Sequence, residues 1–318
     1  MIGRKHMIGK KSMLHVAAVA AVLASTGWAS AKTVCYVTAA DSHAYATPAN
    51  KALQARAAEL GIEILSLSQD FDVQKGTEQL NTCVARKVDG IILWPLDPQA
   101  YIPGLARAQQ ANIPAILINS PMSDDAKPFI KSFTGPDVYE EGKLAADSLS
   151  KALGGKGSVV IIAGQAGNGT TIGRVSGFTD RLKETNADIK VLDTVNADFD
   201  QQKALVVSRD LITRFGDQIS GVYANDDTMA RGFIDAWKEA NPSKAAPPIV
   251  GINGQKDAFE SIRTNEMYST IVQSPVEDGR LAINTMAEII DGKQVKDRLP
   301  IPLTVVTKDN VNAVEPAF

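Results

Sequence analysis

Histidine is scarce in this chain. Only three occur in 318 residues, and two of them, His6 and His15, lie near the amino terminus. A zinc site built from several histidines is therefore excluded, and a Ser-His-Asp triad could form only around His43. We accordingly expect neither a metal site nor a cofactor.

Cysteine and basic charge are also limited. Cys35 and Cys83 form the single possible pair, one in the first predicted strand and one in the second predicted helix. A disulfide and two buried free thiols are both compatible with these positions. The chain has a net charge of −3 and no basic cluster beyond its first residues. Nucleic acid and anionic membrane surfaces are therefore not expected as partners.

The amino terminus has the pattern of a secretory signal peptide. Basic residues between Arg4 and Lys11 are followed by the apolar run Met13–Ala24 and by the small-residue triplet Ala29–Ala31. The apolar run is too short to span a bilayer, and the triplet is typical of a cleavage site. We expect cleavage after Ala31, a mature chain that begins at Lys32, and a soluble periplasmic protein without a lipid anchor.

The remaining sequence alternates between β-rich runs and helical segments. Thr33–Ala39 and Gly90–Trp94 are β-rich, whereas Val73–Val88 carries apolar residues at helical spacing. Such alternation with short links predicts parallel sheets covered by helices on both faces. There are too many strands for one core, so the sequence predicts an α/β protein with two doubly wound lobes.

Polar and aromatic residues directly follow many of the predicted strands. In doubly wound sheets, ligands bind beyond the carboxyl ends of the strands. Aromatic faces contact the C–H faces of sugar rings, and amides and carboxylates pair with hydroxyls. We predict one cleft for a small polyhydroxy ligand, lined by His43, Tyr45, Trp94, Asn119, Phe199, Asp226, Asn253 and Gln273.

Other interpretations of these loops stay open. Asp residues after strands often cap helices, and we expect Asp227 to cap the helix that starts near Met229. The Gly164–Thr170 segment resembles a phosphate cradle but lacks the P-loop lysine, so a flexible loop explains it equally well. Asp226 and Asp227 could serve a glycosidase, although adjacent residues rarely place both carboxyls across one bond.

Several motifs together resemble the type I periplasmic binding proteins for sugars, the ribose-binding-protein-like substrate-binding proteins of ABC transporters. These motifs are Asn112–Pro114 (NIP), Arg174–Phe178 (RVSGF), Ala197–Asp200 (ADFD), Ala224–Ala230 (ANDDTMA) and Ile249–Gly254 (IVGING). The resemblance extends over residues 33–307. It implies two Rossmann-like lobes that are joined by a three-strand hinge and close on a sugar. The resemblance implies ligand contacts at seven of the eight residues above, and Trp94 is our addition.

The sequence departs from the ribose-binding pattern mainly at charged positions. The resemblance implies Asp-Arg where Asn119 and Ser120 stand, and Asp at Asn253. It also implies an aromatic residue at Ala46 and a cleft-facing arginine at Ile172. These departures argue against ribose itself and favour another neutral pentose, a deoxysugar or a polyol.

The resemblance also implies domain limits and partners. Residues 1–31 form the signal peptide, residues 32–135 plus 274–301 the first lobe, and residues 136–273 plus 302–318 the second. The expected function is capture of a sugar or polyol for an ABC permease in the inner membrane. A sensor subunit that presents the sugar to a chemoreceptor or kinase is an alternative, and an exported glycosidase-type enzyme is a weaker one.

Overall fold

The structure is a computed structural model that describes residues 1–3, 31–185 and 187–318. Ala31–Phe318 forms one compact unit, to which the following description applies. The predicted signal peptide lies almost entirely outside the described residues. Within them, no helix is both long and apolar enough to cross a membrane.

Strands and helices alternate along this unit. The strands are β1 (Lys32–Thr38), β2 (Ile62–Ser68), β3 (Gly90–Leu93), β4 (Ala115–Ile118), β5 (Ser132–Gly135), β6 (Lys156–Ala163), β7 (Asp188–Asn196), β8 (Gly221–Ala224), β9 (Ile249–Asn253), β10 (Ser269–Val272), β11 (Arg298–Pro300) and β12 (Thr304–Thr307). The helices are α1 (Ala46–Glu59), α2 (Val73–Ala85), α3 (Ile102–Gln110), α4 (Val138–Leu153), α5 (Gly169–Glu184), α6 (Gln201–Phe215), α7 (Asp227–Ala240), α8 (Lys256–Arg263) and α9 (Pro275–Ile290).

The strands form two six-stranded sheets, which confirms the predicted α/β fold with two lobes. The first sheet has the order β11-β5-β4-β3-β1-β2, and the second has the order β12-β10-β9-β8-β6-β7. The pairings are parallel except that β12 runs antiparallel to β10. The central strands β3, β4 and β8 are buried along their whole length, as expected for strands that are covered on both faces.

Two short strands were not predicted from the sequence. β5 has the sequence SFTG and β11 the sequence RLP, and they pair with each other in the first sheet. Each contains one large apolar residue, so neither produces a hydrophobic run that distinguishes a strand from a loop. β11 lies at the edge of its sheet, where a proline can be accommodated.

Cys35 and Cys83 form a disulfide between β1 and α2, which decides between the two alternatives left by the sequence. Their Cα atoms are 5.7 Å apart, and both residues are fully buried. The bond joins positions 48 residues apart. It therefore fixes the second helix to the first strand and restricts the unfolded chain.

Candidate functional site

One cavity lies where the carboxyl ends of strands from both sheets meet. All eight residues of the predicted cleft line it. Six further residues share the lining: Phe71, Leu96, Ser120, Asn168, Thr170 and Arg174. The lining combines aromatic rings with amide, hydroxyl, carboxylate and guanidinium groups.

Aromatic rings form the apolar part of the lining. The Tyr45 and Trp94 rings meet edge to face with their centroids 5.9 Å apart. The Phe199 ring lies against Gly164, where any added side chain would overlap it. His43 packs edge to face on Phe71 at 5.1 Å. These rings provide flat surfaces for the C–H groups of a ligand.

His43 combines a buried ring with free hydrogen-bonding capacity. Within the described part of the chain, neither imidazole nitrogen has a hydrogen-bond partner. Burial lowers the pKa of His43 to about 4, so the ring is neutral near pH 7. A neutral imidazole donates through one nitrogen and accepts through the other, which matches the dual character of a hydroxyl group.

The cavity contains an arginine, Arg174, although the sequence lacks the arginine that the resemblance implies at the position of Ile172. Ile172 is 50% exposed, whereas Arg174 is buried and lines the cavity. Its Nε donates to Glu141 Oε2 at 2.7 Å, and its Nη1 donates to the Asn225 carbonyl oxygen at 2.7 Å. Burial raises the pKa of Glu141, and the ion pair with Arg174 opposes that shift. The positive charge in the cavity is thus balanced by the protein itself.

Amide groups continue this network toward the ligand space. With its amide oriented to satisfy its neighbours, Gln273 accepts a hydrogen bond from Arg174 Nη2 at 2.7 Å and donates to Glu141 Oε1 at 3.3 Å. The Asn253 amide lies 2.7 Å from the Gln273 amide. Mutual hydrogen bonding of this kind fixes the orientation of the groups that a ligand would contact.

Asp226 caps helix α7, and the expectation that Asp227 does so was wrong. Asp226 Oδ1 accepts from the Met229 backbone N–H at 2.8 Å. Asp227 instead accepts from the Gln255 N–H at 2.9 Å and from Thr270 Oγ1 at 2.7 Å, and it is not part of the lining. Burial raises the pKa of Asp226 to about 6. Asp226 therefore combines a helix cap with a place on the cavity wall.

Comparison with known proteins identifies the fold family. Residues 34–294 match the periplasmic binding protein domain. This chain belongs to that family. The match covers most of the unit described above, including all or most of five strands in each sheet and the elements that carry the cavity lining.

Relatives of this periplasmic binding protein include proteins named for sugars and polyols. It is 28% identical to a xylitol-binding protein of Mycolicibacterium smegmatis, over 87% of this chain and 77% of that one. It is 29% identical to a ribose import binding protein of Haemophilus influenzae, over 80% of this chain and 84% of that one. A solute-binding protein of Actinobacillus succinogenes, solved with D-allose, is 25% identical with a TM-score of 0.81, covering 89% of this chain and 100% of that one.

Two hydrogen bonds between lining residues that were not predicted connect the lobes of the binding protein. Asn168 caps α5 and also donates from Nδ2 to the Leu96 carbonyl oxygen at 3.2 Å. The Ser120 and Thr170 hydroxyls lie 2.6 Å apart. These bonds join residues carried by different sheets, so the two lobes are in contact beside the cavity. The Gly164–Thr170 segment thus ends in a helix cap and the first residues of α5.

A buried carboxylate, Asp278, supports the cavity from behind and was also not predicted. Its Oδ2 accepts from Asn119 Nδ2 at 3.0 Å and from Tyr45 Oη at 3.3 Å. Asp278 lies in the first turn of α9, far along the chain from both partners. Burial raises its pKa to about 7, although the hydrogen bonds from Asn119 and Tyr45 oppose the shift.

We predict that the binding protein loses stability as the pH rises from about 4 to about 7. The folded state holds the Asp278 proton up to a pKa of about 7, whereas the ordinary value is 3.8. The protonated Asp278 carboxyl stabilises the folded state fully at a pH below its ordinary pKa. This stabilisation is lost as the pH rises through the pKa of the folded state, because a buried charge must then form. Asp226 should also lower the stability as the pH rises, because burial raises its pKa to about 6. Urea unfolding across this range should show a smaller decline for Asp278→Asn than for the parent; equal slopes would contradict the assignment.

Proposed function

We propose that this chain is the periplasmic substrate-binding protein of an ABC importer and captures a small neutral carbohydrate or polyol. The observation that carries the proposal is the cavity between the lobes, whose wall combines aromatic rings with hydroxyl-pairing groups. The names of the relatives support a ligand of this class. A pentose, a deoxysugar and a polyol all fit these requirements.

The charge distribution favours a neutral ligand over an anion. Arg174 is already paired with Glu141 and bonded to a backbone carbonyl. An anionic ligand would have to compete with that buried carboxylate and would also face Asp226 across the same cavity. A hydroxyl, by contrast, can donate to Asp226 and accept from Arg174 without adding net charge.

Closure is proposed to be a hinge motion of two lobes, residues 32–135 plus 274–301 and residues 136–273 plus 302–318. Three short connections support this division: residues 136–137 after β5, residues 273–274 after β10 and residues 301–303 after β11. A ligand that contacts both lobes stabilises the closed form. The proposed receiver is an ABC permease in the inner membrane, and a chemoreceptor or kinase is the alternative.

A thermal-shift screen of the mature protein tests the ligand class. The panel consists of pentoses, deoxysugars, inositols and alditols, with amino sugars and sugar phosphates as charged comparisons. A ligand that binds the folded state raises the melting temperature. Stabilisation by neutral members supports the proposal, whereas stabilisation only by phosphates or by none of the panel would overturn it.

We predict that the ligand found by this screen is returned chemically unchanged. The two adjacent carboxylates do not face one bond, because Asp226 lines the cavity while Asp227 is held by Gln255 and Thr270. A glycosidase needs two carboxyl groups on either side of the scissile bond. Mass spectrometry after prolonged incubation should show no product; a product whose amount scales with protein concentration would favour the enzyme alternative.

We predict that the exported protein begins at Lys32. The small-residue triplet that ends at Ala31 motivates this, and β1 begins at Lys32 itself. Amino-terminal mass spectrometry of a periplasmic extract should detect this residue first. An acylated terminus, or a product that retains the apolar run from Met13, would contradict the prediction.

A further inference from the structure

A six-residue sequence pattern occurs once in each lobe. Asp70–Lys75 reads Asp-Phe-Asp-Val-Gln-Lys, and Asp198–Lys203 reads Asp-Phe-Asp-Gln-Gln-Lys. The first copy follows β2 and leads into α2, and the second follows β7 and leads into α6. β2 and β7 hold equivalent edge positions in the two sheets, next to β1 and β6. The two copies are therefore at corresponding places in two similar lobes.

The two copies also have the same backbone conformation. The φ angles are 53° and 58° at Asp70 and Phe71, and again 53° and 58° at Asp198 and Phe199. In each copy the second aspartate caps the following helix, by accepting from Lys75 N–H at 3.0 Å or from Lys203 N–H at 2.8 Å. The lysine of each copy is paired with the first aspartate.

This conformation is unfavourable for phenylalanine. Positive φ is rare for a bulky side chain; residues in this conformation are held by the surrounding structure and cluster at functional sites. Here both strained turns place their rings in the lining of the same cavity, one from each lobe. The Phe71 carbonyl oxygen also accepts from Gln165 Nε2 of the other lobe at 3.4 Å, so the first turn takes part in closure.

We propose that Phe71 is a ligand-binding residue, the first-lobe counterpart of Phe199, and that the two rings together select a ring-shaped polyhydroxy ligand over an open-chain polyol. This inference rests on the proposed function and names the ligand class more closely. A sugar ring presents fixed C–H faces to flat aromatic surfaces. An open-chain alditol has no fixed face and must lose bond rotations when it is bound, which weakens its binding.

The test compares matched cyclic and open-chain compounds by calorimetry. The pairs are ribose with ribitol, xylose with xylitol, and myo-inositol with allitol. The variants are Phe71→Leu, Phe199→Leu and the double variant, since leucine keeps apolar volume but has no ring face. Phe215→Leu is the control, because Phe215 is also half-buried but packs on the second-lobe core outside the cavity.

The parent should bind the cyclic member of at least one pair more tightly than the open-chain member. Phe71→Leu should weaken the cyclic ligand roughly threefold to tenfold and leave the open-chain ligand nearly unchanged. The double variant should depart from the product of the single effects, since both rings contact one ligand. The Phe215→Leu control should bind like the parent.

Two other outcomes would overturn the inference, for different reasons. If the parent binds members of the panel but Phe71→Leu keeps the parent's preference, Phe71 is not a ligand-binding residue and the proposed function stands. If no member binds to the folded parent, the proposed function fails and this inference fails with it.

Discussion

Replacing Arg174 with methionine is expected to destabilise the protein by about 3–5 kcal/mol, because Glu141 would then be a buried charge without its partner. Both side chains are almost completely buried, and Nε to Oε2 is 2.7 Å. The substitution also removes the donors to the Asn225 carbonyl oxygen and to Gln273. The measurement is the free energy of unfolding from urea titration at neutral pH.

Two further variants separate the ion pair from its surroundings. The double variant Glu141→Leu/Arg174→Met removes both charges and should recover much of the lost stability, because well-packed apolar residues often replace a buried pair without loss. Arg181→Met breaks the exposed pair with Asp147, whose nitrogen to oxygen distance is 2.8 Å, and should change stability little. If Arg174→Met and Arg181→Met unfold alike, the buried pair is not structurally important.

Ligand binding by the Arg174 double variant would give separate information. Arg174 lines the cavity and orients Gln273, so loss of affinity with restored stability would place the guanidinium among the groups that recognise the ligand. Retained affinity would limit Arg174 to holding the second lobe together. The interpretation depends on measuring both the ligand affinity and the free energy of unfolding of the same double variant.

The fold was predictable because hydrophobic runs mark the central strands. Strands such as β3 and β8 are short and apolar, and they are buried in the structure as expected. The rule that ligands bind beyond the carboxyl ends of strands then brought together eight residues that line one cavity. Their role in binding remains a prediction, which the proposed experiments address.

The errors arose where one or two positions along a helix decide the direction of a side chain. α5 begins at Gly169, so Ile172 and Arg174 both lie in its first two turns. Residues two apart on a helix point in directions about 200° apart, so Ile172 faces outward while Arg174 faces the cavity. The same one-residue uncertainty assigned the helix cap to Asp227 instead of Asp226, which has an identical side chain.

Other site residues have no local signal in the sequence. Asp278 belongs to α9 and contacts Tyr45 and Asn119 only because the last long helix packs on the first lobe. Phe71 is different, because the repeated Asp-Phe-Asp pattern would have indicated it once the two lobes had been aligned with each other. Internal comparison of the two halves is therefore the sequence signal that could have extended the site.

Replacing Asp226 with alanine is expected to weaken the ligand found by screening by about 1.5–3 kcal/mol, because a charge-assisted hydrogen bond to a ligand hydroxyl is lost in a closed cavity. Oδ1 is occupied by the cap to Met229, so Oδ2 is the atom proposed to contact the ligand. The same substitution should lower the free energy of unfolding by about 1 kcal/mol through loss of the cap.

Asp226→Asn separates the two roles of this carboxylate. Asparagine is as good a helix cap as aspartate, so stability should remain near that of the parent. The charge is removed, so affinity should still fall, although less than in the alanine variant, because the amide can bond to a hydroxyl. Asp227→Asn is the matched control, since this neighbouring carboxylate lies outside the cavity and should not alter the affinity of the folded protein. Calorimetry of all three variants decides the matter: if folded Asp226→Ala binds as tightly as the parent, the carboxylate serves only as a cap, and the ligand contacts lie elsewhere in the cavity.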